Sequence, residues 1–333
     1  MRFRPLVAAL LLALTIWVLF DIAARAVRFV HIFGVHAGPA LTQEEVEAAF
    51  NAPAPGNIER QQYVPKIIHQ IFHNWKDPKN ETLPADWEAS RRTCSDKNPN
   101  FEYHLWTEPL SLEFIATNYE WFLPTYKGYS YPVQRVDALK YFLLLHFGGI
   151  YIDLDNGCSR DLEPLLYYPT WVADGGQGTL SNNILGARPH HPYWAMMTNS
   201  LIPWGYKYPF PYFTVHYSSG QWFETAIWEI YHEQLPARPN QEDRLCRIMM
   251  DNRVGGARWV FFTEGRGGSW DNWDNHLFSF IGNRFVPWVV ANFIFIILGA
   301  VAVAAMIWYR KWGLKRILHT KSTFNNGRLS SMA

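Results

Sequence analysis

An α/β domain set between two apolar segments is the fold class this sequence predicts, and three observations predict it. Runs without a charged side chain stand at Leu6–Phe20 and Phe285–Tyr309. Between them, strand-like stretches alternate with stretches of helical spacing. From Pro132 onward, a helix pattern, a Gly-Gly break, a strand and an acidic turn follow one another, the local order of an α/β fold that binds ligands at the carboxyl ends of its strands.

Taken in order, the first apolar run covers 15 residues, preceded by Arg2 and Arg4 and followed by Asp21, Arg25 and Arg28. Extended to Ala24 it reads as an uncleaved signal anchor, and the alternative is a secretory signal cut near Ala24-Arg25-Ala26. Residues 38–62 carry Gly38, Pro39, Pro53, Pro55 and Gly56 around a short acidic helical patch and read as a stem. Lys66–Ile71 and Phe101–Trp106 have strand character. Pro132 suits the first turn of a helix in which Val133, Val136, Tyr141, Leu144 and Leu145 recur near helical spacing until Gly148-Gly149 stops it. Ile150–Asp155 then reads as a strand entering a turn at Asn156-Gly157.

The second apolar run is 25 residues long, enough to cross about 30 Å of hydrocarbon. Arg310, Lys311, Lys315, Arg316, Lys321 and Arg328 follow it with no acidic residue, so the positive-inside rule puts the C-terminus in the cytosol and the middle of the chain in a lumen. The expected division is a signal anchor over 1–28, a stem over 29–62, a luminal domain over 63–282, a membrane helix over 285–309 and a basic cytosolic tail over 310–333.

Composition narrows the function classes. With 49% hydrophobic and 18% charged residues over 333 positions, the chain is neither disordered nor collagen-like. A net charge of +1 gives no global attraction to nucleic acid, so no nucleic-acid partner is expected. Aromatic residues make up 17%, a density that suits either a packed core or work at lipids and sugars. Cys94, Cys158 and Cys246 in an oxidising lumen allow one disulfide and leave one thiol, with the pairing open. Asn80-Glu81-Thr82 is a glycosylation sequon in a polar stretch.

The chemistry concentrates at Asp153 and Asp155. Two residues apart, they would share one face of a regular strand, where converging like charges need a cation or strong donors. A hard divalent ion is the natural counter-charge and can bridge carboxylates to a diphosphate. A solvated strand-end turn is the bland alternative.

The continuous stretch Arg135–Asp155 closely resembles the sugar-binding Asp-x-Asp region of fungal-type glycosyltransferases in the family of initiating α-1,6-mannosyltransferases, and that of glycosylating bacterial toxins. Pro65–His73 resembles their first strand, Ser181–Ala187 with His191-Pro192 their downstream active-site segment, and Gly268-Ser269-Trp270 their C-terminal one. Within the family, the flanking apolar runs, the Asn-Gly-Cys after the acidic pair and Gly186-Ala187 resemble the branch that mannosylates inositol phosphorylceramide.

That resemblance implies a GT-A-like nucleotide-sugar-binding domain and a retaining, metal-dependent mannosyltransferase of sphingolipid biosynthesis. It would use GDP-mannose, Mn²⁺ or Mg²⁺ and inositol phosphorylceramide in the Golgi membrane, beside a membrane-embedded regulatory subunit. It implies a catalytic set of Asp137, Lys140, Asp153, Asp155 and Asn182, donor contacts from Phe72, Arg135, Asp137 and Asp153, and metal ligation by Asp153 and Asp155. Lys140 stands where many relatives carry Arg, and Phe72 where they often carry Trp, so a core role for Phe72 stays open. Asp271 follows Trp270 where relatives often have His, leaving Asp271 or His276 as a third ligand. His190, His191 and His216 read as structural or surface residues. Leu201–Phe213 concentrates aromatic residues too interrupted to span a bilayer; it reads either as an interfacial segment at the lipid acceptor or as a Pro-rich lid.

The sequence leaves three alternatives: a Golgi mannosyltransferase acting on protein-linked glycans, a membrane-bound aspartyl-phosphate phosphohydrolase and an inactive transferase-like subunit. Asn156 where phosphohydrolases carry Thr or Val, and no later Asp-Asp, count against the second.

Overall fold

The computed structural model describes residues 3–53, 60–176, 178–236, 239–250, 256, 258–264, 273–280 and 299. The chain divides into two compact units, Met1–Trp270 and Asp271–Ala333.

In the first unit the helices are α1 (Phe3–His31), α2 (Gln43–Asn51), α3 (Ala85–Lys97), α4 (Glu108–Asn118), α5 (Leu123–Gly128), α6 (Pro132–His146), α7 (Pro192–Ser200), α8 (Pro211–Ser218) and α9 (Gln221–Gln234). The strands are β1 (Ala40–Thr42), β2 (Ile67–Phe72), β3 (Glu102–Thr107), β4 (Gly149–Ile152), β5 (Asn156–Cys158), β6 (Thr170–Asp174), β7 (Leu180–Ala187), β8 (Cys246–Met249) and β9 (Phe262–Glu264). In the second unit, described residues form α10 (Trp273–Phe280).

Seven strands make one mixed sheet in the order β1-β8-β6-β7-β4-β2-β3, while β5 and β9 pair apart from it. β7 is antiparallel to both its neighbours, and the remaining pairs are parallel. Side chains alternate across the sheet as a strand period of two requires. Tyr151, Val172 and Leu185 enter the core beneath α6, α7 and α9, whereas Ile150, Ile152, Trp171 and Ile184 pack on the opposite face with Cys94, Leu165 and Phe262. Part of the expected stem is built into this frame, since β1 extends the sheet beside β8 and Thr42 caps α2 in a capping box with Glu45.

The expected strands at Lys66–Ile71 and Phe101–Trp106 form as β2 and β3. α6 also starts at Pro132, where Gln134 reaches back to the Tyr131 amide, and is buried through Asp137–Leu144 because the sheet and other helices cover it. Gly148 and Gly149 reverse the chain into β4 at φ +68° and +92°; a Cβ on Gly149 would lie 2.8 Å from the Ile67 carbonyl oxygen.

One expectation fails at the site itself. β4 ends at Ile152, and Asp153–Asp155 form a turn closed by the Asn156 amide donating to the Asp153 carbonyl, so Asn156-Gly157 opens β5 instead of the turn. The acidic pair therefore owes its placement to this turn and not to strand alternation. Cys94 and Cys158 form a disulfide tying α3 to β5, and Cys246 is a buried thiol. Asn80 is exposed, as a sequon requires.

Among the described residues no helix is long and apolar enough to cross a membrane. The apolar run 285–309 lies outside the described residues, residue 299 aside.

Candidate active site

A cleft of about 310 Å³ opens at the carboxyl ends of β2 and β4 and is closed on one side by the junction of α8 and α9. Asp137, Lys140, Asp153, Asp155 and Asn182 all line it, as does Phe72. Five residues expected to act together, drawn from α6, the turn after β4 and β7, thus meet at one place.

Their geometry is organised by Lys140. Its Nζ lies 3.2 Å from Asp137 Oδ1 and 3.5 Å from Asp153 Oδ1, and donates to the Asn182 carbonyl at 3.1 Å. An ammonium carries three protons, so these acceptors account for its donors. Tyr151 covers it with its ring face at 4.8 Å and donates its hydroxyl to Asp153 Oδ1 at 2.5 Å. Burial alone would lower Lys140, but Asp153 and Asp137 more than offset it and raise its pKa. Burial raises Asp137, opposed by Lys140.

Asp137 is also held by the protein on both carboxylate oxygens. Oδ1 accepts from Asn182 Nδ2 at 3.0 Å and Oδ2 from Ser219 Oγ at 3.1 Å. Asn182 Nδ2 is shared with the Tyr141 hydroxyl at 3.1 Å, which donates to the Ser219 carbonyl at 2.7 Å. A carboxylate oxygen accepts about two hydrogen bonds, so Oδ2 keeps capacity for a substrate hydroxyl.

Of the expected donor contacts, Arg135 is placed away from the cleft lining and Phe72 takes the core role left open for it. Arg135 pairs with Glu108 at 3.1 Å and is not among the residues lining the cleft. Phe72 is nearly sealed and stands edge-on to Trp87 at 6.2 Å, so its ring is chiefly core. Trp75 and Trp87, half-buried in the cleft wall, are the aromatic faces better exposed to a nucleotide base. Tyr151, Ser219, Trp75 and Trp87 were not singled out from sequence; their signal is only proximity in the chain to residues that were. His216, read as structural or surface, also lines the cleft, and burial lowers it to about 4.

For a divalent ion, the chain's own donors are the Asp153 and Asp155 carboxylates, hard oxygen ligands that fit Mg²⁺ or Mn²⁺. Among the described residues no group of three His, Cys, Asp or Glu side chains forms a metal cage, so phosphate oxygens and water would complete the shell. Asp271 lies outside the described residues, and His276 falls in α10 of the other unit, where its side chain is not described.

Residues 84–171 match the glycosyltransferase sugar-binding region containing the DXD motif. Inositol phosphoceramide mannosyltransferase 2 of Schizosaccharomyces pombe is 37% identical over 237 residues, covering 71% of this chain and 67% of that one. The chain belongs to this glycosyltransferase family. Mannosyl phosphorylinositol ceramide synthase SUR1 of Saccharomyces cerevisiae is a further family member, 36% identical over 75% of this chain and 62% of its own. Inositol phosphoceramide mannosyltransferase 1 of Schizosaccharomyces pombe is 31% identical, with 68% of each chain covered. The chain thus spans about two thirds of the length of these relatives. As a member of the family it presents the DXD motif as Asp153-Leu154-Asp155 at the cleft, and the matched region includes α6 and β4, which build half of the site.

Proposed function

We propose that this glycosyltransferase transfers mannose from GDP-mannose to the inositol of inositol phosphorylceramide, with retention at the anomeric carbon. The observation that carries the reading is the assembly of buried Asp137, Lys140 and Asn182 with the half-buried Asp153 in a DXD cleft. Relatives named for this transfer, matched along most of the chain, support the acceptor.

In this mechanism the Asp153 and Asp155 carboxylates would hold Mn²⁺ or Mg²⁺ at the cleft. When bound, the ion would supply Lewis-acid stabilisation of a departing diphosphate. Lys140 keeps its charge behind Asp153 and, with its protons already engaged, orients Asp153 and Asp137 instead of reaching the leaving group. Asp137 accepts from a mannose hydroxyl and fixes the sugar over the pair. An inositol hydroxyl attacks from the face the diphosphate leaves. The bond from the anomeric carbon to phosphate oxygen breaks, the bond to inositol oxygen forms, and the hydroxyl proton passes to the departing phosphate, giving GDP and the mannosylated lipid.

The same reading places the site in the Golgi lumen. The Cys94–Cys158 disulfide supports an oxidising compartment, and the basic residues after Tyr309 support a cytosolic C-terminus. The apolar runs serve as anchors, and a membrane-embedded regulatory subunit completes the complex.

Membranes containing the full chain, incubated with Mn²⁺ and inositol phosphorylceramide, test the proposal. Transfer from GDP-mannose and not from UDP-sugars, abolished in Asp155→Asn, is expected. Modification of protein-linked glycans with no lipid product, even with a regulatory subunit supplied, would overturn the acceptor; undiminished transfer by the variant would overturn the metal-held diphosphate.

A further inference from the structure

The junction of α8 and α9 has two sides. Toward the cleft it presents Val215, His216, Gly220 and Gln221, and Ser219 reaches Asp137. Away from the cleft it receives the end of α1. Phe29 packs on Trp222 at 5.2 Å and on Tyr217 at 5.6 Å, and Phe33 on Trp222 at 5.8 Å.

From this anchor point, ring contacts lead into the aromatic segment before α8. Tyr217 meets Tyr208 at 5.4 Å, and Tyr208 meets Tyr206 at 5.0 Å. Trp222 meets Phe213 at 5.3 Å, and Phe213 meets Phe210 at 6.2 Å. At the outer end of the path Tyr206 is 67% exposed and Ile202 46%, while on α1 Trp17 is 64% and Phe20 73% exposed. Trp204 behaves differently: its ring turns inward against Phe223 at 5.8 Å and packs on the core.

Ring packing therefore runs from Phe29 and Phe33, at the end of the helix that exposes Trp17 and Phe20, to the exposed Tyr206, and the element it passes through is a wall of the cleft. Between Leu201 and Phe213 the single charged residue is Lys207, which is exposed. Exposed aromatics around a lone lysine suit the headgroup level of an anionic leaflet. A folded partner protein would be met by a broader, mostly polar rim.

We propose that Ile202 and Tyr206, with α1, rest in the bilayer leaflet, and that the α8–α9 junction is the edge over which a lipid-borne inositol phosphate headgroup enters the cleft. The second half rests on the lipid-acceptor reading above; the first does not. The junction places the acceptor beside Gln221 and His216 while Ser219 holds Asp137 for the donor sugar.

The full chain, reconstituted in vesicles of phosphatidylcholine and phosphatidylserine, decides the first half. An environment-sensitive fluorophore is attached to single cysteines replacing Ile202, Tyr206 or Trp17, and, as controls on exposed apolar positions elsewhere, Leu110 or Trp121. Cys246 is buried and stays unlabelled. Nitroxide-bearing phospholipids are expected to quench the labels at 202 and 206 as strongly as the one at 17, and those at 110 and 121 little. Equal quenching at 202, 206, 110 and 121 overturns the leaflet contact. So does shielding of 202 and 206 from aqueous iodide without lipid quenching, which would mean a protein covers them.

Ile202→Ser/Tyr206→Ser tests the second half. Transfer to vesicle-borne acceptor should fall about tenfold or more, the loss expected from removing buried apolar contact, while hydrolysis of GDP-mannose in water stays within about twofold. Equal loss of both overturns the entry edge. A wild-type chain that makes no mannosylated lipid yet shows the quenching pattern overturns the acceptor reading and the entry edge and leaves the leaflet contact standing.

Discussion

Lys140 Nζ stands 3.2 Å from Asp137 Oδ1, one turn apart on α6, and both side chains are almost closed to solvent. Such a pair is costly to assemble, because two ions leave water, and costlier to break, because the survivor is left charged in a low dielectric. Its use here is positional. With Asn182 and Ser219 it fixes the Asp137 carboxylate in the cleft wall and, through Asp153, the turn that carries the DXD motif.

Removing one partner should therefore hurt more than removing both. Lys140→Met is expected to lower stability by about 3–5 kcal/mol, and Asp137→Asn/Lys140→Met to recover part of that loss, while both variants lose transfer. Denaturant titration of the solubilised chain checks this. A double variant no more stable than Lys140→Met would show that Lys140 is held chiefly by Asp153 and the Asn182 carbonyl.

Tyr151→Phe isolates the hydroxyl that donates to Asp153 Oδ1 and keeps the ring over Lys140. A side chain that orients a metal-binding carboxylate commonly contributes about tenfold or more in metal affinity. Titration of transfer with Mn²⁺ should show half-maximal activity at about tenfold higher metal in the variant, with little change at saturation. An unchanged titration would mean that Asp153 is oriented by Lys140 and its own backbone alone.

β2, β3 and α6 were legible in the sequence because each carries a local signal: an isoleucine-rich run after Pro65 for β2, the aromatic-rich Phe101–Trp106 for β3, and for α6 a Pro at the first turn and a Gly pair at the end. The five residues that the family pattern brings forward, Asp137, Lys140, Asp153, Asp155 and Asn182, all line one cleft. What could not be read arrives by tertiary packing. Ser219 reaches Asp137 from 82 residues away, and Trp75 and Trp87 enter the cleft from loops and helix ends with no periodic pattern. Arg135 has no local sign that Glu108, on α4, takes its charge. The acidic pair was misread as strand because apolar β4 runs straight into it; the Asn156 amide folding back on Asp153 decides otherwise, and no propensity encodes that bond.

The Cys94–Cys158 disulfide closes a segment with a sequence separation of 64 and ends three positions past Asp155, tying the strand after the acidic turn to α3. Chain entropy assigns such a loop about 4 kcal/mol. Cys94→Ala/Cys158→Ala should accordingly melt at lower temperature, and dithiothreitol should lower the wild-type melt toward that of the variant. The variant should also bind GDP-mannose more weakly, since β5 holds the far end of the turn. A melt insensitive to reductant would show that the two thiols are unlinked in the folded protein.

Glu224 gives a pH signature. It lies wholly buried on α9, with no hydrogen-bond partner on either carboxyl oxygen, and burial pushes it up to about 8, with Asp137 adding to the rise and Lys140 opposing it. Because the folded-state value lies above the unfolded one near 4.5, the native chain binds the extra proton between these values. Its contribution is therefore fully present below about pH 4.5 and is lost as pH rises toward about 8, amounting to about 3 kcal/mol by pH 7. Glu224→Gln removes the titration and keeps the shape. Relative to wild type, the variant should gain stability steadily from about pH 5 to about pH 8, a difference that cancels the slopes of His69, His73 and His191, which burial lowers in both proteins. Parallel denaturant midpoints of the two proteins across that range would show that Glu224 is ionised at neutral pH and paired with Lys140.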